Sequence, residues 1–195
     1  NKNYEKFTDL KMHFKEQIKL ENIDFCYEKD KYALKNINFT IKKGDFIGIT
    51  GASGSGKTTL FNIILGLFKV KKGRVIIDKT ALNQNNVRMW QNNISVLSQE
   101  FSLPFNTVWQ NVTLEPDCKA EKNTDKIIQA LKLANIYDEI NGNLEKNTKE
   151  LSSGQKHRIA LARAFYFERE VIMLDEATSA LDSEAENQIS KSIED

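Results

Sequence analysis

Apolar and polar positions alternate along two stretches near the start of the chain. The alternation has one irregularity between residues 17 and 27, and it is regular between residues 37 and 41. A period of two predicts half-buried β-strands. The charged turn at residues 28–31 predicts that these two strands form an antiparallel hairpin. Residues 1–15 are charged and aromatic with weak periodicity, so we interpret them as a linker or loosely docked arm ahead of the domain.

Short apolar runs predict further, more deeply buried strands. They lie at residues 45–50, 74–78, 94–98 and 171–174. Each run is too short for a helix of ordinary length and lacks the helical period. The polar stretches between them predict turns, loops and helices.

The helical patterns lie between these apolar runs. Residues 60–68 predict a helix packed on a sheet, residues 107–147 predict a polar helical region, and a polar helix is predicted to begin at Ser183. Within the middle region we predict Thr124 as the N-cap. One face there carries an apolar stripe of Ile127, Ile128, Leu131, Ala134 and Ile136. The pattern predicts an α/β fold with an antiparallel β subdomain and a small helical subdomain at about residues 105–150.

Composition excludes several classes of function. The 195 residues include 28 lysines and arginines and 27 aspartates and glutamates. Because these charges balance, we expect no nucleic-acid partner. No apolar run approaches the roughly 18 residues that cross a bilayer, so we expect no direct membrane insertion of this domain. Cys26 and Cys118 lie far apart and have no metal-ligand spacing, which fits a reducing compartment.

The most informative motif is Gly-Ala-Ser-Gly-Ser-Gly-Lys-Thr-Thr at residues 51–59, between a predicted strand and a predicted helix. It fits the phosphate-binding loop pattern G-x-x-x-x-G-K-[ST]. Glycines allow the backbone N–H groups to surround an anion, and the following helix directs its positive end at the same place. The alternative, a flexible glycine and serine turn with an incidental lysine, is disfavoured by the flanking elements. The residues expected to surround the phosphates are Gly51, Ser53, Gly54, Ser55, Gly56, Lys57, Thr58 and Thr59.

Three of these side chains have separate expected roles. Lys57 reaches the β- and γ-phosphates as a mobile charge, and the Thr58 hydroxyl ligates Mg²⁺. Thr59 is expected to contact the α-phosphate. The motif therefore predicts ATP and Mg²⁺ as ligands.

Two further residues each allow two interpretations. Tyr27 is a packed strand residue or a ring that stacks on a nucleotide base, and its position alone favours packing. Gln99 follows a predicted core strand, where its amide is either solvated or holds Mg²⁺ and orients a water molecule. Taken alone, a solvated glutamine is the better explanation.

The segment Leu-Ser-Ser-Gly-Gln at residues 151–155 precedes a strong helical pattern. Ser152 and Gln155 have the spacing of a capping box, which is an ordinary helix start. The same residues also suit a second anion-binding helix terminus. Loop chemistry alone does not decide between the two.

Two adjacent acids close the last apolar run. Asp175 at the strand's end suits an Mg²⁺-bound water, and Glu176 suits the general base that polarises the attacking water. Acids at a strand end are common on protein surfaces. Together with a phosphate-binding loop, however, they predict a nucleotide hydrolase.

These motifs occur in the order found in the ATP-binding cassette (ABC) ATPases. The matching segments are residues 51–59, Gln99, residues 151–155, residues 171–176 and residues 179–182. The chain resembles that family from about Ile18 to Asp195. The resemblance implies a P-loop NTPase fold with a RecA-like core sheet, which makes residues 16–195 one ABC ATPase domain.

The resemblance also implies a role for each matching residue. Tyr27 matches the family's adenine-stacking aromatic, which reverses the interpretation from position alone. Gln99 matches the glutamine that senses Mg²⁺ and the γ-phosphate, and Asp182 the aspartate of the loop linking two sites. Asp175 and Glu176 match the metal-water acid and the catalytic glutamate. The signature residues Ser152, Ser153, Gly154 and Gln155 are expected to close on the ATP of an opposite subunit.

Residues 99–112 look like the exporter branch of the family. The expected partners are a second nucleotide-binding domain, most simply a copy of this one in a head-to-tail dimer, and a transmembrane domain ahead of Asn1. The expected location is the cytoplasmic face of the cell membrane. The sequence does not reveal the transported substrate or the direction of transport.

Three features depart from the family pattern. Ser153 stands where the family usually has glycine, and residues 143–148 match poorly the acidic, glycine-rich segment of many exporters. The family's switch histidine would follow Asp195, and neither His13 nor His157 is placed to replace it. We therefore expect this polypeptide to bind MgATP but to hydrolyse it poorly.

Two rival functions belong to other classes. A soluble ABC ATPase of DNA repair would carry long coiled coils between residues 59 and 151, and a ribosomal one would carry two cassettes. The sequence has no heptads there and a single cassette. A nucleotide-gated dimerisation module without turnover is the other rival. Lys57, Asp175 and Glu176 argue against that module in the parent protein.

Overall fold

The computed structural model describes residues 10–28, 31–98, 100–116 and 123–175. The chain divides into two compact units, residues 1–94 and 95–195. The first unit contains β1 (Gln17–Glu28), β2 (Lys31–Lys42), α1 (Lys57–Ile64), β3 (Lys72–Ile77), β4 (Thr80–Ala81) and α2 (Val87–Gln91). The second contains most of β5 (Ile94–Leu97), then α3 (Val108–Thr113), α4 (Thr124–Leu133), a 3₁₀ turn (Thr148–Glu150), α5 (Ser153–Tyr166) and β6 (Val171–Leu174).

An antiparallel sheet organises the first unit, with strand order β2-β1-β3-β4. The predicted hairpin is confirmed: Ile18 pairs with Ile41 of β2 on one side and with Ile77 of β3 on the other. Alternate β1 side chains are buried, and the alternation changes phase after Leu20. Asn22 has φ +50° at this irregularity, a conformation that asparagine tolerates better than most residues. The phase change keeps Ile23 in the core.

The predicted strand at residues 45–50 is wrong. These residues pair with no strand in the described part of the chain, and Phe46 and Ile49 are 58% and 43% exposed. An extended segment becomes a strand only where a neighbouring strand accepts and donates its backbone hydrogen bonds. An apolar run shows that its side chains avoid water, but it does not show whether a neighbouring strand is available for pairing. The apolar run at residues 45–50 therefore led to the prediction of a strand that does not form.

The expectation of a loosely docked arm is wrong for residues 10–15. Met12 and Phe14 are buried, and the Phe14 ring meets the Trp90 ring edge-on with a centroid distance of 5.8 Å. The Met12 N–H donates to the Met89 carbonyl at 3.1 Å. Apolar residues on a short segment with little periodicity therefore pack against α2.

Helix α2 was missed by the sequence prediction. Its Trp90 is fully buried and its indole N–H donates to the Ile64 carbonyl at 2.8 Å, at the end of α1. Only five residues form this helix, so its pattern is shorter than the window in which a helical period is recognisable. Tertiary packing on α1 stabilises it.

The carboxylate of Asp78 fastens residues 15–17 to the end of β3. It accepts hydrogen bonds from the backbone N–H groups of Lys15, Glu16 and Gln17 at 2.8, 2.9 and 2.9 Å. Burial raises the pKa of the Asp78 carboxyl, but these three donors outweigh that effect and hold the pKa below its ordinary value. The ionised carboxylate is therefore a stabilising element.

We expect Asp78→Asn to lower the free energy of unfolding by about 1–3 kcal/mol at pH 7, since the amide lacks the charge that strengthens these bonds. Because the folded pKa is depressed, the contribution of Asp78 is present above the ordinary carboxyl pKa of about 4 and is lost as the pH falls through the folded value. Urea unfolding from pH 3 to 7 measures both effects. Asp24→Asn is the matched control, since Asp24 accepts one backbone N–H, that of Asn36. Equal losses in both variants, or a loss independent of pH, contradict the assignment.

Helices form the core of the second unit. Ile127, Leu131 and Ile136 of the predicted stripe are completely buried, and α4 and α5 pack against the same cluster. The predicted N-cap was one residue late: Asn123 caps α4 by accepting the Lys126 N–H at 3.2 Å. Asparagine is preferred over threonine as an N-cap, which agrees with the helix beginning after Asn123 and not after Thr124.

Among the described residues, none of the helices combines the length and apolar character required to cross a membrane. Cys26 is a free, half-buried thiol on β1. Cys118 lies outside the described residues, as does the helix predicted from Ser183.

Candidate nucleotide-binding site

The phosphate-loop motif lies between the end of the hairpin and α1. Gly56 is the N-cap of α1, with φ +94°, and provides no side-chain cap. A Cβ at Gly56 would lie 2.8 Å from a Leu34 methyl carbon and 2.9 Å from the Ala33 carbonyl oxygen, so both the backbone angle and β2 require glycine here. The first turn of α1 carries no acidic residue. The N-terminal N–H groups and the positive end of the helix dipole are thus available to an anion.

The side chain of Lys57 lies across the loop. Its ammonium donates to the carbonyl oxygens of Gly51 and Ala52 at 2.8 and 3.1 Å. These contacts hold a positive charge over residues 51–55, all of which are exposed. Nearby Thr58 is also exposed in the first turn of α1. The loop, the Lys57 ammonium and the Thr58 hydroxyl thus lie together at the start of α1, and their contacts with a triphosphate and its metal ion stay a prediction.

Tyr27 and Thr59 connect the sheet to α1. The two hydroxyl oxygens lie 2.8 Å apart and share a hydrogen bond. Tyr27 is 62% exposed, whereas Thr59 is buried. The Tyr27 ring also meets Phe25 and Phe68 at interplanar angles of 89° and 85°. Its exposure is at odds with an ordinary packed strand residue and leaves aromatic surface available for stacking.

The capping box predicted at the start of α5 is confirmed. The Ser152 hydroxyl accepts the Gln155 N–H at 3.2 Å, and the Gln155 side chain accepts the Ser152 N–H at 3.1 Å. Gln155 Nε2 also donates to Glu139, which pairs with Arg158 at 2.7 Å. Ser152 and Ser153 are exposed and Gly154 is half-buried. The anion-binding role of this helix start is compatible with the box and stays a prediction.

Asp175 directly follows β6 in the second unit. It is half-buried, and its N–H donates to the Leu97 carbonyl at 2.9 Å, which joins the ends of β5 and β6. Its position at a strand end agrees with the prediction. Gln99, Glu176 and Asp182 lie outside the described residues. Their predicted roles stay predictions.

Arg163 on α5 was not singled out from the sequence, and the structure gives it a definite place. Its Nε donates to the Asn111 carbonyl at 2.8 Å, and its Nη2 donates to the Ser102 carbonyl at 3.0 Å. Burial lowers the pKa of Arg163, but a guanidinium stays charged at neutral pH. Arg163 thus joins α5 to α3 and to the segment after Gln99. No local signal identifies such a bridge, because its acceptors are backbone carbonyls distant in sequence.

Asn111 and His157 were also missed. The completely buried Asn111 amide donates to the Phe105 and Thr107 carbonyls, both at 2.8 Å, and shapes the start of α3. His157 is buried beside the Phe101 ring, with its Nε2 lacking a hydrogen-bond partner among the described residues. Burial accordingly lowers the pKa of His157. Thr107 and Gln110 form a second capping box, which their spacing could have revealed.

Comparisons with known proteins agree with this description. Residues 34–179 match the family model described as ABC transporter. The chain is 35% identical over 185 residues to an ATP-dependent lipid A-core flippase of Ralstonia nicotianae, covering 91% of this chain and 31% of the relative. It is 36% identical over 182 residues to ABC transporter B family member 4 of Dictyostelium discoideum, covering 88% and 23%. The chain therefore spans about a third or less of the length of these relatives.

A solved structure shares the fold. It is described as a bacterial Atm1-family ABC exporter with ATP bound, and it matches with a TM-score of 0.83 and 24% identity over 94% of this chain and 33% of that chain. At this identity the likeness concerns the fold alone. Since the family model covers most of the sequence and the glycine-lined loop with its lysine is in place, this chain belongs to the ABC transporter family.

Proposed function

We propose that this chain is the nucleotide-binding domain of an ABC exporter or flippase whose activity is the hydrolysis of MgATP, and that these 195 residues by themselves bind MgATP and hydrolyse it slowly. The observation that carries the proposal is the phosphate loop, in which Lys57 lies over the glycine-rich backbone at the uncapped start of α1. Family membership supports ATP as the nucleotide. The rival soluble ABC ATPases are not favoured, because the relatives described above are named as a flippase and a transporter.

The chain's own residues divide the chemistry. Lys57 and the first N–H groups of α1 hold the phosphates and offset their charge. Thr58, Gln99 and Asp175 provide hydroxyl, amide and carboxylate oxygens, the donor types that suit Mg²⁺. When bound, Mg²⁺ would supply positive charge that offsets the negative charge developing on the leaving ADP. Glu176 accepts the proton of the attacking water while Gln99 orients that water.

The remaining site residues suit a dimer. We propose that Ser152, Ser153 and Gly154 meet the nucleotide of a second copy in a head-to-tail arrangement, with Asp182 linking the two sites. The exposure of both serines supports this role. Residues 16–195 form the domain and about 105–150 its helical subdomain. Residues 1–15, of which residues 10–15 pack against α2, lead towards a transmembrane partner. The domain would then lie at the cytoplasmic face of the membrane.

Calorimetric titration of the 195-residue chain tests nucleotide binding directly. We expect saturable binding of MgATP and at least tenfold weaker binding of MgAMP, which offers the loop a single phosphate instead of three. The affinity for MgGTP, compared with that for MgATP, measures how much the identity of the base contributes to binding. Equal affinity for MgATP and MgAMP contradicts a triphosphate site at residues 51–59.

A further inference from the structure

The hydroxyl of Tyr27 makes a hydrogen bond, although stacking of the ring on a base would not require one. It shares a hydrogen bond of 2.8 Å with the Thr59 hydroxyl, in the first turn of α1 and two residues after Lys57. A stacking ring needs only its face, and phenylalanine would serve equally well. The phenol group therefore calls for a separate explanation.

The two residues that share this hydrogen bond differ in their exposure to solvent. Thr59 is 4% exposed and Tyr27 is 62% exposed. Two ring contacts, with centroid distances of 5.0 Å to Phe25 and 5.7 Å to Phe68, hold the Tyr27 ring. Phe25 and Phe68 also stack on each other at 5.1 Å. The contacts with Phe25 and Phe68 fix the Tyr27 ring on one side, while the rest of the ring is exposed. The fixed ring holds the phenol oxygen next to the Thr59 hydroxyl.

The chemistry of a phosphate decides the direction of the hydrogen bond. Phosphate oxygens only accept, so Thr59 must use its single O–H as the donor when it contacts one. The Thr59 oxygen is then left to accept, and the Tyr27 O–H is the donor in place. The Tyr27 O–H then donates to the Thr59 oxygen, and the Thr59 O–H donates to the phosphate. In such a chain of hydrogen bonds each bond polarises and strengthens the next.

We propose that Tyr27 is a positioning residue for the phosphate loop: its hydroxyl orients the Thr59 hydroxyl toward the bound phosphate, in addition to any contact of its ring with the base. This inference rests on the proposed nucleotide site and names a contact within it. It makes the affinity for the phosphates depend on a residue of the sheet. The base and phosphate parts of the site are thereby coupled through one side chain.

The test compares two ligands, MgATP and magnesium tripolyphosphate, which has the phosphates but no base. Because Tyr27→Phe keeps the ring and removes one hydrogen bond, we expect the dissociation constants of both ligands to rise by the same factor, roughly three- to tenfold. Tyr27→Ala should weaken MgATP more than tripolyphosphate, since it also removes the ring. Tyr32→Phe, at an exposed tyrosine of β2, is the matched control and should leave both constants unchanged.

A double-mutant cycle with Thr59→Val shows whether the Tyr27 hydroxyl acts through Thr59 or through another part of the protein. Valine keeps the shape of the buried threonine without its hydroxyl, so Tyr27→Phe should cost nothing further in that background. Thr59→Ser keeps the hydroxyl and should restore the effect of Tyr27→Phe. An unchanged tripolyphosphate affinity in Tyr27→Phe, or an equal loss with and without the Thr59 hydroxyl, overturns the inference while leaving the nucleotide site intact. Failure of the unsubstituted chain to bind either ligand overturns the proposed function and this inference together.

Discussion

Replacing Lys57 with alanine should weaken MgATP binding by roughly a hundredfold or more, the largest effect on nucleotide affinity that we expect from a single substitution. The ammonium is held over the loop by the Gly51 and Ala52 carbonyls. From there it can exchange those neutral acceptors for charged phosphate oxygens. Two charge-assisted hydrogen bonds of about 1.5 kcal/mol each correspond to roughly that change in affinity. Calorimetric titration with MgATP measures it.

The control must separate this contact from a general loss of positive charge. Lys69→Ala removes an exposed lysine from the same unit and should leave the affinity within about twofold. Urea unfolding of both variants verifies that α1 and the loop still fold. An affinity of Lys57→Ala within threefold of the unsubstituted chain would place the phosphates elsewhere.

Replacing Glu176 with glutamine should lower the rate of MgATP hydrolysis by about 10²–10⁴-fold, because the amide cannot accept a proton from the attacking water. MgATP affinity should change little, since the role of Glu176 concerns the water and not the phosphates. The supporting observation is its place in the chain, directly after Asp175, whose backbone joins the ends of β5 and β6. A phosphate-release assay measures turnover.

The same variant should reveal the proposed dimer. If closed pairs form around ATP, blocking hydrolysis preserves the ligand that favours them, and mass action shifts monomer to dimer. Sedimentation velocity with and without MgATP reports the mass. Adding Lys57→Ala should abolish the shift, and Glu150→Gln, at an exposed acid of the 3₁₀ turn, should behave like the unsubstituted chain. Unaltered turnover in Glu176→Gln contradicts its role as general base, whereas a monomer in every condition contradicts the dimer alone.

Periodicity correctly predicted the elements whose cause is local. The hairpin of β1 and β2 follows from alternation over adjacent stretches, and the stripe around Leu131 follows from a helical period. Ser152 and Gln155 form their capping box because both partners lie within one turn. The same period failed for α2, which owes its stability to the contacts of Trp90 and not to a pattern of its own.

Apolar composition alone was a weaker guide. It predicted a strand at residues 45–50, where the side chains lie exposed and unpaired, and it did not predict that Met12 and Phe14 are buried. Hydrophobicity indicates a tendency to avoid water, but the surface that satisfies this tendency is supplied by residues elsewhere in the chain. Weak periodicity at residues 10–15 likewise says nothing about Asp78, which holds the backbone of residues 15–17 from 61 to 63 residues away.

By itself the sequence determined the family, the phosphate loop and the chemical type of every proposed site residue, because these depend on residue identity and short spacing. Only the tertiary structure decided that Tyr27 shares a hydrogen bond with Thr59, that Gly56 lies against β2, and that Arg163 joins α5 to two carbonyls far away in the chain. Each of these contacts unites residues between 22 and 61 positions apart. The packing of strands and helices sets such distances, and no local pattern encodes them.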